Sequence, residues 1–330
     1  LAIVMKTNPR RAADAPLAAV VAAWGVSHAT ERSSTLWRLS ARILANRYEL
    51  TECIGSGAMG EVWAATDLTT GAELAVKLLA KWATNEPELI LRFEREAKLL
   101  RRIRCPYVCS LIDAGRDDRN VPFLVLERLR GETLAELFER EGYLPLADVA
   151  VIGDEILQAL VAAHDVGIVH RDLSPSNVFM HQTLDGATIT KLVDFGIAKA
   201  SDASAPRTGG GAIMGSLAYV APEQLGDSAN AQPSADLYAF GALVFRALAG
   251  RLPYGDTHGT ALVVMKREHE APTIDEATGE KWPAALRTFL AKTIARSPAK
   301  RYPSAVVART AWRAATNGMN RPRHDDDVGR

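Results

Sequence analysis

The apolar residues of this chain change their period near Gly131, and that change limits the fold more than any other feature. Ahead of it, short alternating runs are punctuated by turns. Leu50 and Ile54 lead into a glycine-rich turn, Val62 and Ala64 follow on one face, Thr70-Gly71 marks a second turn, and residues 74–79 form a third apolar strand. One helix interrupts the series. Leu89, Phe93, Ala97 and Leu100 recur at three- and four-residue steps, so the spacing predicts an amphipathic helix over residues 86–102. Residues 124–126 read as another short strand. Beyond Gly131 the spacing turns helical, with long amphipathic stretches at 147–166 and 235–249. The expectation is an α+β chain in which a small antiparallel-sheet region with one main helix precedes a larger, mostly helical region.

With 330 residues, 48% of them apolar and 24% charged, the chain can bury a sizeable core. Lys plus Arg and Asp plus Glu each number 39, so the global basic footprint expected of a nucleic-acid binder is absent. Cys53, Cys105 and Cys109 are odd in number and include a C-x-x-x-C spacing with no second pair. That pattern fits reduced thiols in a cytoplasmic protein better than a disulfide framework or a zinc site. Residues 1–47 read as a flexible or locally helical extension. Lys6, Arg10 and Arg11 precede an alanine-rich run at 15–24, which resembles a signal peptide, but Pro16 interrupts it. The run is shorter than the roughly 20 apolar residues that span a bilayer, and no membrane segment is expected elsewhere. Residues 316–330 read as a polar tail containing Asp325-Asp326-Asp327.

Several short motifs carry chemistry. Gly55-Ser56-Gly57-Ala58-Met59-Gly60-Glu61-Val62 is G-x-G-x-x-G-x-V. Such a run can close a hairpin or let backbone amides approach a phosphate. A strand follows it here, whereas the dinucleotide fingerprint opens a helix. Lys77 shares a strand face with Ala75 and is flanked by Val76, Leu78 and Leu79. It either snorkels to the surface or pairs with an anion, for which Glu96 on the amphipathic helix is the best placed. Residues 178–180 and 188–193 read as strands joined by a turn near Asp185-Gly186. If they pair antiparallel, Asn177 and Asp194 emerge at the same end, as hard oxygen donors suited to Mg²⁺. Asp172 would face the same space. A loop capped by Asp and Asn side chains is the alternative reading of each half alone.

Taken in order, Gly55 to Val62, Ala75-Val76-Lys77, Glu96, His170-Arg171-Asp172, Asn177, Asp194-Phe195-Gly196 and Ala221-Pro222-Glu223 resemble the protein kinase signature set. The flavour is that of bacterial Ser/Thr kinases of eukaryotic type, and the resemblance covers about residues 48–315. It implies a bilobal kinase-like fold, with a nucleotide-binding small lobe at 48–130 and a catalytic, substrate-binding large lobe at 131–315. It implies ATP with Mg²⁺, or with Mn²⁺ in its place, and protein substrates. Gly55, Ser56, Gly57 and Gly60 would cover the phosphates. Lys77 would hold the α- and β-phosphates and pair with Glu96, Asp172 would accept or orient the acceptor proton, and Asn177 and Asp194 would hold the metal. Ile54, Val62, Ala75, Leu126 and Phe179 would line the adenine slot, with backbone groups near Glu127 and Leu129 at the purine edge. Asp236 would brace the catalytic loop, Arg301 would pair with Glu223, and His164 and His170 would be packing residues.

One departure stands out. Relatives carry lysine two residues after the catalytic aspartate, and this chain has Ser174 there, with no Lys or Arg in residues 173–177. Losing such a donor costs roughly 10²–10³ in rate, so slower transfer is expected. A nucleotide-binding pseudokinase scaffold is the alternative, and the Ser/Thr assignment is weakened because tyrosine kinases also lack that lysine. Arg171 beside Asp172 points to regulation by a phosphate on the segment that follows. Ser201, Ser204 and Thr208 are candidate hosts, Thr208 foremost, and Ser216 would contact the catalytic aspartate. A homodimer would serve autophosphorylation.

Overall fold

The computed structural model describes residues 42–57, 60–195, 217–225 and 232–317, without the side chains of Lys81, Asn85, Arg92 and Glu96. A six-stranded antiparallel sheet opens the fold, in the order β1-β2-β3-β4-β6-β5. Its strands are β1 (Arg42–Leu44), β2 (Tyr48–Gly57), β3 (Gly60–Asp67), β4 (Glu73–Leu79), β5 (Leu111–Arg116) and β6 (Pro122–Glu127). Thus the sheet includes a strand ahead of Tyr48.

Cross-strand pairing decides what each face of the sheet does. Val62 pairs with Lys77 and Lys77 with Leu124, while Ala64 pairs with Ala75 and Ala75 with Leu126. Directly opposed residues share a face. Leu124 on this face packs with Phe93 and Ala97 of helix α1 (Pro87–Leu100). The alternate residues Leu74, Val76 and Leu78 turn to the other side and bury with Tyr48, Phe123 and Val125. Helix α1 is shorter at both ends than its apolar spacing suggests. Pro87 lacks an N–H, which suits the first turn of a helix, and Arg101 stands at the C-cap.

The larger part of the chain is helical, as expected. Its described helices are α2 (Leu134–Glu141), α3 (Leu146–Asp165), α4 (Pro233–Ala249), α5 (Gly259–Glu268), α6 (Ile274–Thr278), α7 (Ala284–Thr293) and α8 (Ala305–Ala315). Helix α4 is apolar nearly all round, as a helix surrounded by others must be. It begins with Pro233 and ends on Gly250 in the left-handed conformation, φ 67°. Phe240 of α4, Phe289 of α7 and Trp312 of α8 meet edge to face or tilted, with ring centroids 5.1–6.2 Å apart. None of the described helices is long and apolar enough to cross a membrane.

A three-stranded sheet, β7 (Gly131–Thr133), β8 (Val178–Gln182) and β9 (Thr188–Leu192), lies between the two parts of the chain. Tyr107 and Cys109, in the connection after α1, bond to the main chain of Leu192 at 2.8 and 2.9 Å. Lys191 of β9 donates to both carboxylate oxygens of Glu127 at the end of β6, at 2.7 and 2.8 Å. These bonds tie the six-stranded sheet to β9, the strand that leads to Asp194.

Candidate active site

The site forms where β4 meets the end of β9, which in turn bonds to the loop between α3 and β8; β3, which follows the glycine-rich turn, pairs with β4. Lys77 is largely buried on the α1-facing side of β4, and its Nζ lies 2.6 Å from Oδ1 of Asp194. Glu96, its expected partner, belongs to α1, but the Glu96 side chain lies outside the described residues.

The glycines of the turn differ in what they permit. A Cβ at Gly60 would run into the carbonyl oxygen of Leu78, so glycine there is a requirement of the fold. Among the described residues, no neighbouring atom lies within 4 Å of a Cβ at Gly57, and at Gly55 the nearest is Val62 Cβ at 3.9 Å. Packing therefore does not dictate glycine at these two positions. The space they leave suits close approach of a phosphate to the backbone. Ala58 and Met59 lie outside the described residues.

The loop before β8 is held from below by a single carboxylate. Asp236, in the first turn of α4 and 1% exposed, accepts from the amides of His170 and Arg171 at 2.8 Å each and bonds His164 Nε2 at 2.8 Å. Two donors fixed on one acceptor hold Arg171 at φ 66°, a conformation that non-glycine residues seldom adopt. His170 is fully buried, and desolvation lowers its pKa despite nearby carboxylates, Asp236 foremost. Its Nε2 lies 3.1 Å from the Val193 carbonyl, an acceptor, so the ring donates there. Its face packs on Phe195 with centroids 4.5 Å apart. His164 and His170 are thus placed as packing groups.

Asn177 connects the two strands of the sequence argument. Val193 donates its N–H to the Asn177 carbonyl at 3.0 Å, one residue before Asp194 leaves the ladder with φ 49°. The Asn177 amide nitrogen donates to the Asp172 main-chain carbonyl at 2.8 Å and to Asp172 Oδ2 at 3.2 Å. That orientation commits the amide nitrogen, and not the amide oxygen, to Asp172. Among the described residues no cluster of three or more His, Cys, Asp or Glu side chains could hold a metal. A divalent cation here would rely on side-chain oxygens of Asn177 and Asp194 together with waters and phosphates, a combination that suits Mg²⁺. Ser174 is buried, with its Oγ 3.0 Å from Ser176 Oγ.

Of the expected adenine-slot residues, Val62, Ala75 and Leu126 share the Lys77 face, Ile54 is exposed on β2, and Phe179 is half-buried on β8 beside Lys191. The N–H of Glu127 is committed to the Ser110 carbonyl at 3.0 Å. The Glu127 carboxylate binds Lys191, a pairing with no local signature in the chain. The expected Arg301–Glu223 pair is bidentate, at 2.6 and 2.8 Å, with the guanidinium fully buried. Gly196, Ser201, Ser204, Thr208 and Ser216 lie outside the described residues.

Comparison with known proteins agrees with this geometry. The protein kinase domain family matches residues 48–313. Serine/threonine-protein kinase PknA of Mycobacterium tuberculosis is 36% identical over 286 residues, covering 85% of this chain and 64% of that protein. Serine/threonine-protein kinase Pkn1 of Myxococcus xanthus is 35% identical over 271 residues, covering 81% and 38% respectively. The chain therefore spans under two thirds of these relatives' lengths. The crystal structure of the Mycobacterium tuberculosis PknI kinase domain shares the fold, with a TM-score of 0.62 and 25% identity over 84% of this chain and 98% of that one. A structure of Rad53 residues 1–466 in complex with AMP-PNP has a TM-score of 0.64 and 25% identity, covering 81% of this chain and 65% of that one.

Proposed function

The chain belongs to the protein kinase family, and on that premise we propose that it transfers the γ-phosphoryl group of ATP to serine and threonine hydroxyls of proteins. The convergence of Asp172, Asn177, Asp194 and Lys77 carries this reading, since Asn177 bonds to Asp172 and Lys77 to Asp194. Relatives named as Ser/Thr kinases support it, and none of them favours the scaffold alternative.

Transfer is in-line. The acceptor oxygen forms a bond to the γ-phosphorus as the bond to the bridging oxygen breaks, and the acceptor proton passes to Asp172. Lys77 and the amides of the glycine turn orient the triphosphate. Ile54, Val62, Ala75, Leu126 and Phe179 hold the adenine, with main-chain groups near Leu129 at the purine edge. Asn177 and Asp194 would hold Mg²⁺, or Mn²⁺ in its place, which neutralises phosphate charge when bound. Most of the catalysis is positioning and electrostatics.

Regulation follows from Arg171. Its Nε is buried and has no partner among the described residues, which suits capture of a phosphate on Thr208. Ser216 would then approach Asp172, and a second copy of the chain would deliver the activating phosphate. Because the reaction consumes ATP, the cytoplasm is its natural setting.

The test is incubation with labelled ATP and Mg²⁺ or Mn²⁺, with Asp172→Asn as control and phosphosites mapped by mass spectrometry. Label on Thr208 or its neighbours, absent in the control, supports the reading. Nucleotide binding without any label would favour a scaffold.

A further inference from the structure

We propose that Lys266 is a positioning residue for the polypeptide substrate, pinning the main chain just ahead of Ala221-Pro222-Glu223 so that an acceptor meets a fixed surface beside Asp172. The inference rests on the kinase reading above and deepens it.

Lys266 lies on α5 with no exposed surface. Its ammonium donates to three main-chain carbonyls, those of Leu217 at 3.0 Å, Ala218 at 2.6 Å and Val220 at 2.7 Å. Three donors thus meet three convergent acceptors. Burying an ammonium on carbonyl oxygens rather than on a carboxylate is expensive. A helix that needed only packing would carry an apolar side chain of similar volume at this position. What the lysine provides instead is a fixed path for residues 217–220.

That path leads to the catalytic loop. Beyond Val220, the Ala221 amide donates to Gln224 Oε1 at 3.1 Å, and Gln224 Nε2 donates to the Arg171 carbonyl at 3.2 Å, next to Asp172. The far end of the segment is held by Arg301 on Glu223. Both cations rest against one ring, with Lys266 Nζ 5.0 Å and the Arg301 guanidinium carbon 4.9 Å from the Tyr238 centroid. Residues 217–225 are therefore secured at both ends by cations that share an aromatic support.

The experiment is steady-state kinetics of the full chain with a synthetic serine/threonine peptide that the wild-type protein phosphorylates. Lys266→Met is expected to raise KM for the peptide about tenfold, the equivalent of one charge-assisted hydrogen bond, without a matching rise in KM for ATP. Lys266→Arg should be intermediate, because its planar fork keeps the charge but cannot meet all three carbonyls. An unchanged peptide KM, or an equal rise in both constants, overturns the proposal. If Lys266→Met does not fold, Lys266→Arg alone decides it by the same split. If the wild type phosphorylates no peptide, the kinase reading fails instead. Amide hydrogen exchange then tests the pinning separately: faster exchange at residues 217–220 in Lys266→Arg supports it, and unchanged exchange overturns it.

Discussion

Lys77 Nζ and Asp194 Oδ1 lie 2.6 Å apart although 117 residues separate them in the chain. This bond joins β4 to the chain just beyond β9, both within the kinase-matched segment. Asp194 is 55% exposed, so solvent screens the pair and its contribution to stability is small. Lys77→Met should therefore lower the phosphoryl-transfer rate by roughly 10²–10³ while leaving the urea midpoint nearly unchanged. A parallel collapse of both quantities would show that the pair is structural.

Asp236 offers the opposite case. Replacing it with Asn keeps the shape but turns an N–H₂ toward donors that now share one carboxylate. A buried donor left unpaired costs about 1–3 kcal/mol. Asp236→Asn should lower the denaturation midpoint accordingly and reduce kcat more than it raises KM for ATP, because the loop carrying Asp172 loses its anchor. Calorimetry paired with initial rates checks both.

Ser174 sits in a buried position hydrogen-bonded to Ser176. If transfer is slow for want of a cation near the γ-phosphate, Ser174→Lys should raise kcat by about tenfold or more. No gain would indicate that another side chain already supplies the charge.

These residues differ in how legible they were. The Asp236 brace and the Arg301–Glu223 pair could be read because each belongs to a short motif with fixed neighbours, and the same kind of motif puts the glycine turn, Lys77, Asp172, Asn177 and Asp194 forward as site candidates. Strand β5 could not, because a register shift between Leu111 and Asp113 breaks the two-residue period on which strand reading depends. Lys191 and Lys266 were missed for a different reason. A lone lysine on a strand or helix reads as a solvated face, and the partners that bury these two lie 64 and 46–49 residues away. Nothing local distinguishes them.

Lys266 also leaves a pH signature. Burial, reinforced by the Arg301 charge and opposed by Glu223, pulls its ammonium from 10.5 down to about 7. The unfolded chain then binds more protons between these values, so this group makes stability rise with pH across that window. Tyr219 and Cys109, whose pKa values burial pushes up to about 12, act in the opposite sense at more alkaline pH, as does the raised Tyr238 phenol. Between pH 7 and about 9 the wild type should gain stability relative to Lys266→Met. A difference that stays flat over that range would mean the lysine titrates normally.

The three glycines of the turn fall under two kinds of selection. Ala at Gly60 collides with a carbonyl oxygen, whereas Ala at Gly55 meets only Val62 Cβ at ordinary contact distance and Ala at Gly57 meets nothing within 4 Å among the described residues. A library sorted for folded protein would discard substitutions at the first position and retain them at the other two. If the turn holds phosphates as proposed, a library sorted for turnover would discard all three. Variant-effect predictions that score stability alone would therefore pass Gly55→Ala and Gly57→Ala as harmless, and on the proposed reading a strain carrying either would accumulate normal amounts of a slower protein.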